Sequence, residues 1–104
     1  ITPRELKERL DRGDPLTIVD VREPHEWEIG NLSAYGARLV PLSELSSRLS
    51  EVSVAGDVVV HCKSGARSSR ALEQLRAAGI TRVWNLRGGI LAWAEEVDPA
   101  IPKY

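Results

Sequence analysis

Apolar residues follow two spacings along this chain. Short runs rich in β-branched residues, Leu16-Thr17-Ile18-Val19-Asp20-Val21 and Val58-Val59-Val60, alternate with stretches in which leucine recurs at helical intervals. Thr2-Pro3-Arg4-Glu5 reads as a capping box with proline at the first helical position, and Leu6 and Leu10 follow at i, i+4. This predicts a helix from Pro3 to about Arg12, broken by Gly13-Asp14-Pro15. Residues 16–21 then predict a strand with a carboxylate near its end, Arg22-Glu23-Pro24 a turn, and Pro24 to Glu28 a short helix. Gly30 to Gly36 is expected to be loop, Leu39-Val40-Pro41 a brief strand, and Ser43 the cap of a helix holding Leu45 and Leu49 on one face.

Ala55-Gly56-Asp57 predicts a turn into the three valines, whose unbroken apolar run suits a strand buried on both faces, as in a parallel sheet. Ala71 to Ala78 has helix-forming composition, with Gly79 placed as its C′ stop. Arg82 to Leu86 predicts another strand, Gly88-Gly89 a lead into a short apolar helix over Ile90 to Trp93, and Asp98 to Tyr104 an extended tail. Strands alternating with helices imply an α/β fold: a central, mostly parallel sheet with helices on both faces, in one domain over residues 1–104. In open sheets of this kind ligands bind beyond the carboxyl ends of the strands, which would put Cys62, Asp20 and Arg22 at one edge.

Charge and composition exclude several classes. The formal net charge of −1 gives neither a nucleic-acid footprint nor a basic membrane-seeking face, and no apolar run reaches bilayer length. Without a signal sequence, the expected location is cytoplasmic, and a first residue that is Ile rather than Met suggests a fragment or a processed chain. One cysteine leaves no partner for an internal disulfide or thiol relay, so a covalent group acquired there must leave to another molecule. His25, His61 and that cysteine lack the spacing of a metal site, and no cofactor is expected.

The chemistry concentrates where the valine run ends: His61-Cys62-Lys63-Ser64-Gly65-Ala66-Arg67-Ser68-Ser69-Arg70. A helix starting after this loop points free N–H groups and the positive end of its dipole back at Cys62. A helix terminus is worth up to roughly 2 kcal/mol and a pKa unit about 1.4 kcal/mol, so the dipole alone could bring a thiol from about 8.5 to near 7. Lys63 and Arg67 are expected to push it further, in a stretch that carries three basic residues and no acid. Here the loop's glycine and cations favour a reactive thiol over an inert, space-filling cysteine.

These residues give the chain a family resemblance: it is similar to single-domain rhodaneses, which are sulfurtransferases. Asp20-Val21-Arg22-Glu23 resembles the first signature of that family and Glu26-Trp27-Glu28-Ile29-Gly30 the second. Cys62-Lys63-Ser64-Gly65-Ala66-Arg67-Ser68 resembles its active-site loop, and Leu86-Arg87-Gly88-Gly89-Ile90-Leu91-Ala92-Trp93 its closing motif. The resemblance implies a catalytic Cys62 that accepts sulfane sulfur as a persulfide from a small anionic donor such as thiosulfate. Lys63, Ser64, Gly65, Ala66, Arg67 and Ser68 would bind that donor, with Arg22 as a further contact and Asp20 in support. It also implies, by analogy, a sulfur-carrier protein or an adenylating domain as partner. The chain departs from the pattern at Gly30-Asn31-Leu32-Ser33-Ala34-Tyr35-Gly36-Ala37, where the family usually has Gly-His-Ile-Pro-Gly-Ala, so no role of that histidine carries over.

Plainer readings stand beside these. His61 belongs to the buried strand and, by alternation, points away from Cys62 rather than acting as a base. Asp20 and Arg22 are as suited to pairing with each other as to touching substrate. Gly88-Gly89 reads as backbone geometry and the three tryptophans as packing. Two other functions share the pattern. Cysteine phosphatases also set a cysteine and an arginine around an anion loop, but with one more residue between them than the four separating Cys62 from Arg67. The shorter ring suits one sulfur atom better than a tetrahedral phosphate. A non-catalytic binding module of the same fold is disfavoured by the presence of Cys62 itself.

Overall fold

The first helix is fixed by its first residues. In the computed structural model, which describes residues 1–52 and 56–103, the Glu5 N–H donates to the Thr2 hydroxyl at 3.1 Å and the Thr2 N–H to the Glu5 carboxylate at 2.9 Å. This capping box starts α1, Pro3–Asp11. There follow β1 (Leu16–Asp20), α2 (Pro24–Ile29), a 3-10 turn (Ser33–Tyr35), β2 (Arg38–Leu39) and two further 3-10 turns (Leu42–Ser47 and Leu49–Glu51). The second half holds β3 (Asp57–His61), α3 (Ala66–Ala77), β4 (Val83–Asn85) and α4 (Gly89–Glu96).

The four strands form one sheet in the order β2-β1-β3-β4, every pairing parallel. Alternation along β3 feeds two apolar layers. Val58 and Val60 face Val19, Ala71 and Leu75, so α3 and the Leu42–Ser47 turn cover that side, and Cys62 continues this face. Val59 faces Ile18, Leu6, Ile90 and Trp93, so α1 and α4 cover the other. Both faces of β3 are therefore buried, the reason its sequence reads as an unbroken valine run.

Local differences from the sequence reading have physical causes. Residues 42–47 wind as a 3-10 turn after Pro41 with no side-chain cap, so Ser43 does not start a helix there; Leu45 and Leu49 still pack on the α3 side. The Gly30–Gly36 loop contains the Ser33–Tyr35 turn, ended by Gly36 at a φ of 85°. The tail is not extended at its start: Ala100 donates to the Asp98 carboxylate and Ile101 to the Asp98 carbonyl, a local turn of a kind Asp forms readily. Ala55 and Tyr104, included in the expected turn and tail, lie outside the described residues. α3 starts five residues before the stretch whose composition predicts it. It ends as expected at Gly79 (φ 92°), with Ile80 N–H reaching Leu75 and Gly79 N–H reaching Arg76.

Candidate active site

Because all strands run parallel, the C-terminal ends of β1, β3 and β4 bring Asp20, Cys62 and Asn85 to one edge of the sheet. Cys62 follows β3 directly, and its sulfur occupies the place of a capping oxygen for α3. The Gly65 N–H donates to Sγ at 3.1 Å, the Ser68 N–H at 3.5 Å, and the Ser68 hydroxyl lies 3.4 Å away. Ser68 is the third residue of the helix, whose N–H an N-cap side chain ordinarily satisfies. Gly65 makes the turn possible with a φ of 123°, a conformation that side chains with a Cβ rarely adopt.

The opposite side of the loop is held by α4. Ile90 N–H donates to the Cys62 carbonyl at 3.0 Å and Leu91 N–H to the Lys63 carbonyl at 3.2 Å. These carbonyls are thereby turned to the helix N-terminus, leaving the loop's N–H groups to converge on sulfur. The close approach requires glycine: a Cβ on Gly89 would press into the Lys63 carbonyl oxygen and lie 2.6 Å from that of Cys62. Gly88 and Gly89 thus act through backbone geometry.

Cys62 is 1% exposed, so its thiol lies beneath the loop. Burial pushes the thiol up, and hydrogen bonds from the Ser68 hydroxyl and the N–H groups of Ser68, Gly65 and Ser64 outweigh it, holding the thiol below its ordinary value. Dipolar donors rather than the loop's cations lead this lowering. Arg67 is bound through both guanidinium arms to Glu26, at 2.5 and 2.9 Å, and its charge is largely met there. Glu26 is 5% exposed; the Arg67 pair, with help from the Glu23 N–H, brings its carboxyl down to about 2 against the opposing effect of burial.

Arg22, expected either to contact substrate or to pair with Asp20, makes the Asp20 pair. It is 1% exposed; its guanidinium donates to both Asp20 oxygens at 2.8–3.1 Å and to the carbonyls of Glu26 and Gly30. The buried pair ties β1 to the end of α2. His61 is fully buried on the far side of β3, with Nδ1 3.1 Å from the Cys62 carbonyl and Nε2 3.6 Å from Asp20. Burial lowers its pKa and keeps it neutral, although Asp20 acts in the opposite sense. Ser64 and Ala66 stand exposed on the loop and Lys63 is half-buried beside them. An open cleft of about 500 Å³ adjoins the loop, with Arg67 and Arg70 of α3 across from Glu23, Ser43 and Ser46.

Residues 2–96 match the rhodanese-like domain. The chain belongs to that family. It is 41% identical, over its full length, to a protein of Mycobacterium tuberculosis named as a probable adenylyltransferase/sulfurtransferase, MoeZ, of which the match covers 26%. A sulfurtransferase of Allochromatium vinosum is 39% identical over 97% of this chain and 92% of its own. Among solved structures, a rhodanese-related protein from Thermoplasma volcanium superposes with a TM-score of 0.83 at 30% identity, covering 100% of this chain and 97% of that one. The chain thus spans about a quarter of MoeZ, while matching nearly all of the Allochromatium protein. Family and relatives together support sulfurtransferase activity in general.

Sequence reasoning gave no role to two polar residues that hold this rhodanese loop from other elements, Glu26 of α2 and Asn85 of β4. Glu26 was legible only as part of a motif, and its partnership with Arg67 spans 41 positions. Asn85 contacts Ser68 and Gly65 from the end of β4. Its available signal was a strand-disfavouring residue inside a predicted strand. Among the described residues no group of three or more His, Cys, Asp or Glu side chains could hold a metal ion, and no helix is long and apolar enough to cross a membrane.

Proposed function

We propose that this domain transfers sulfane sulfur from thiosulfate or a persulfide donor to a thiophilic acceptor through a persulfide on Cys62. The observation that carries the reading is the convergence of the Gly65 and Ser68 N–H groups on Sγ, 3.1 and 3.5 Å away, inside a loop closed after four residues by Arg67. Preorganised N–H donors stabilise the thiolate needed for attack and the anionic sulfur that follows.

With thiosulfate, the Cys62 thiolate attacks the outer sulfur. A new S–S bond forms, the S–S bond of thiosulfate breaks, and sulfite leaves with the electron pair. An acceptor thiolate then attacks the terminal sulfur of the persulfide, and Cys62 departs as thiolate. Lys63, Ser64, Gly65, Ala66, Arg67 and Ser68 are the loop through which the donor reaches Cys62. Arg67, tethered to Glu26, shapes this loop more than it supplies a free charge. The names of the fusion relatives support an adenylating domain as partner, a small sulfur-carrier protein would be the acceptor that such a domain activates, and a lone reduced thiol suits a cytoplasmic setting.

The test is intact-mass measurement after incubation with thiosulfate. The expected result is one added sulfur atom, removed by reductant and absent in Cys62→Ala, with no hydrolysis of an aryl phosphate above background. An unmodified wild type, a reductant-resistant adduct or efficient phosphate hydrolysis would overturn the proposal.

A further inference from the structure

The Ser68 hydroxyl has one proton and three acceptors around it. Asn85 Oδ1 is at 2.7 Å, the Gly65 carbonyl at 3.2 Å and Cys62 Sγ at 3.4 Å, with the Ser68 side chain wholly buried. The orientation of the Asn85 amide follows from its other contacts: Nδ2 donates to the Gly65 carbonyl and to the Ser69 hydroxyl, both at 3.3 Å. The reverse orientation would set Oδ1 against the Gly65 carbonyl, acceptor against acceptor. Oδ1 therefore faces Ser68 as an acceptor, and the shortest contact takes the proton.

We propose that Asn85 is a positioning residue for the reactive thiol, which by accepting the Ser68 proton decides whether that hydroxyl meets Cys62 as an acceptor or as a donor. In the thiol state the chain of donors runs from the Cys62 S–H to Ser68 and from Ser68 to Asn85. When the thiol proton is lost to solvent, the Ser68 O–H rotates from Asn85 to the thiolate, a stronger because charged acceptor. Each ionisation thus breaks the Ser68–Asn85 bond. Asn85 holds back thiolate formation, whereas the N–H groups of Gly65 and Ser68 promote it.

The other charged and titratable groups near the sulfur are Lys63 on the loop, Arg67 on α3 with Glu26 from α2, and Asp20, Arg22 and neutral His61 at the strand ends. They are common to every variant below, so differences between variants report on Asn85 and Ser68.

The inference rests on Cys62 as the reactive group, but its test does not use sulfur transfer. Thiolate formation is followed by ultraviolet absorbance against pH, with Cys62→Ala subtracted; Cys62 is the only cysteine. Asn85→Ala is expected to lower the thiol pKa by half a unit to one unit, the order of one hydrogen bond, and so raise the thiolate fraction about three- to tenfold below the pKa. Asn85→Val, which removes the same acceptor while favouring the strand, should shift it in the same direction. In a Ser68→Ala background neither substitution should move it, and Ser68→Thr should restore the response. An unchanged or raised pKa in both Asn85 variants would refute the proposal. So would an equal shift with and without the Ser68 hydroxyl, because Asn85 would then act through the Gly65 carbonyl alone. A failed thiosulfate reaction with this pattern intact would count against sulfur transfer and not against Asn85.

Discussion

Replacing Glu26 by glutamine tests whether the active-site loop is fastened by charge. The side chain is an isostere, so shape is kept and the ion pair to Arg67 is lost. A carboxyl held at about 2 rather than 4.5 is worth roughly 3 kcal/mol at neutral pH. Arg67 is 34% exposed, and solvent screening of that partner brings the figure to roughly 2 kcal/mol. The sign follows from the depressed pKa: the contribution is complete above the unfolded value of 4.5, shrinks as pH falls, and is lost only as pH passes through about 2, below which folded and unfolded Glu26 are both protonated.

The assay is denaturant unfolding of both proteins between pH 7 and pH 2. Wild type should exceed Glu26→Gln by roughly 2 kcal/mol above pH 5, and the two curves should converge as pH falls to about 2. Other carboxylates titrate in the same range, but they are shared and cancel in the difference. A gap of constant size over the whole range would show that glutamine disturbs packing alone and would refute the reasoning. The functional corollary concerns the first turn of α3. With Arg67 released, the Ser68 N–H loses its fixed place over sulfur, so the thiol of Glu26→Gln should move up toward its ordinary value.

Two further outcomes follow from buried geometry. His61 is kept neutral in the fold but takes a proton near pH 6.5 when unfolded, so stability is complete above that value and falls as pH drops. His61→Gln should remove a slope of up to about 1.4 kcal/mol per pH unit between pH 6 and 5, measured by urea unfolding; an unchanged slope would show that His61 is charged in the fold. Gly89→Ala forces a methyl group onto the Cys62 and Lys63 carbonyls and should cost roughly 2 kcal/mol while raising the thiol pKa. Gly36→Ala, with open space around it at a φ of 85°, should cost about 1 kcal/mol and leave the thiol alone; equal effects of the two on the thiol would disprove the close-approach argument.

What could be read from the sequence was whatever acts over a few residues. The Thr2–Glu5 capping box, the Gly79 stop and the β3 valines each state their structure locally, and from them came the helices, the doubly covered sheet and the position of Cys62 at its edge. The loop was legible as a thiol among N–H groups for the same reason: Cys62, Gly65 and Ser68 are neighbours in sequence. Charges were misread because a cation's effect depends on its partner, and partners are distant. Arg67 reads as available in the sequence but lies against Glu26, 41 positions away, whereas the Arg22–Asp20 pair, two positions apart, was one of the two readings open from the start. With its leading cation paired, the loop lowers the thiol pKa mainly through neutral hydrogen-bond donors, the Ser68 hydroxyl first and then the backbone N–H groups, which leave the charge of the site nearly unchanged and stabilise anionic sulfur without attracting anions over long distances. Reactivity at Cys62 should therefore depend on the alignment of Gly65, Ser68 and the α4 N-terminus far more than on salt.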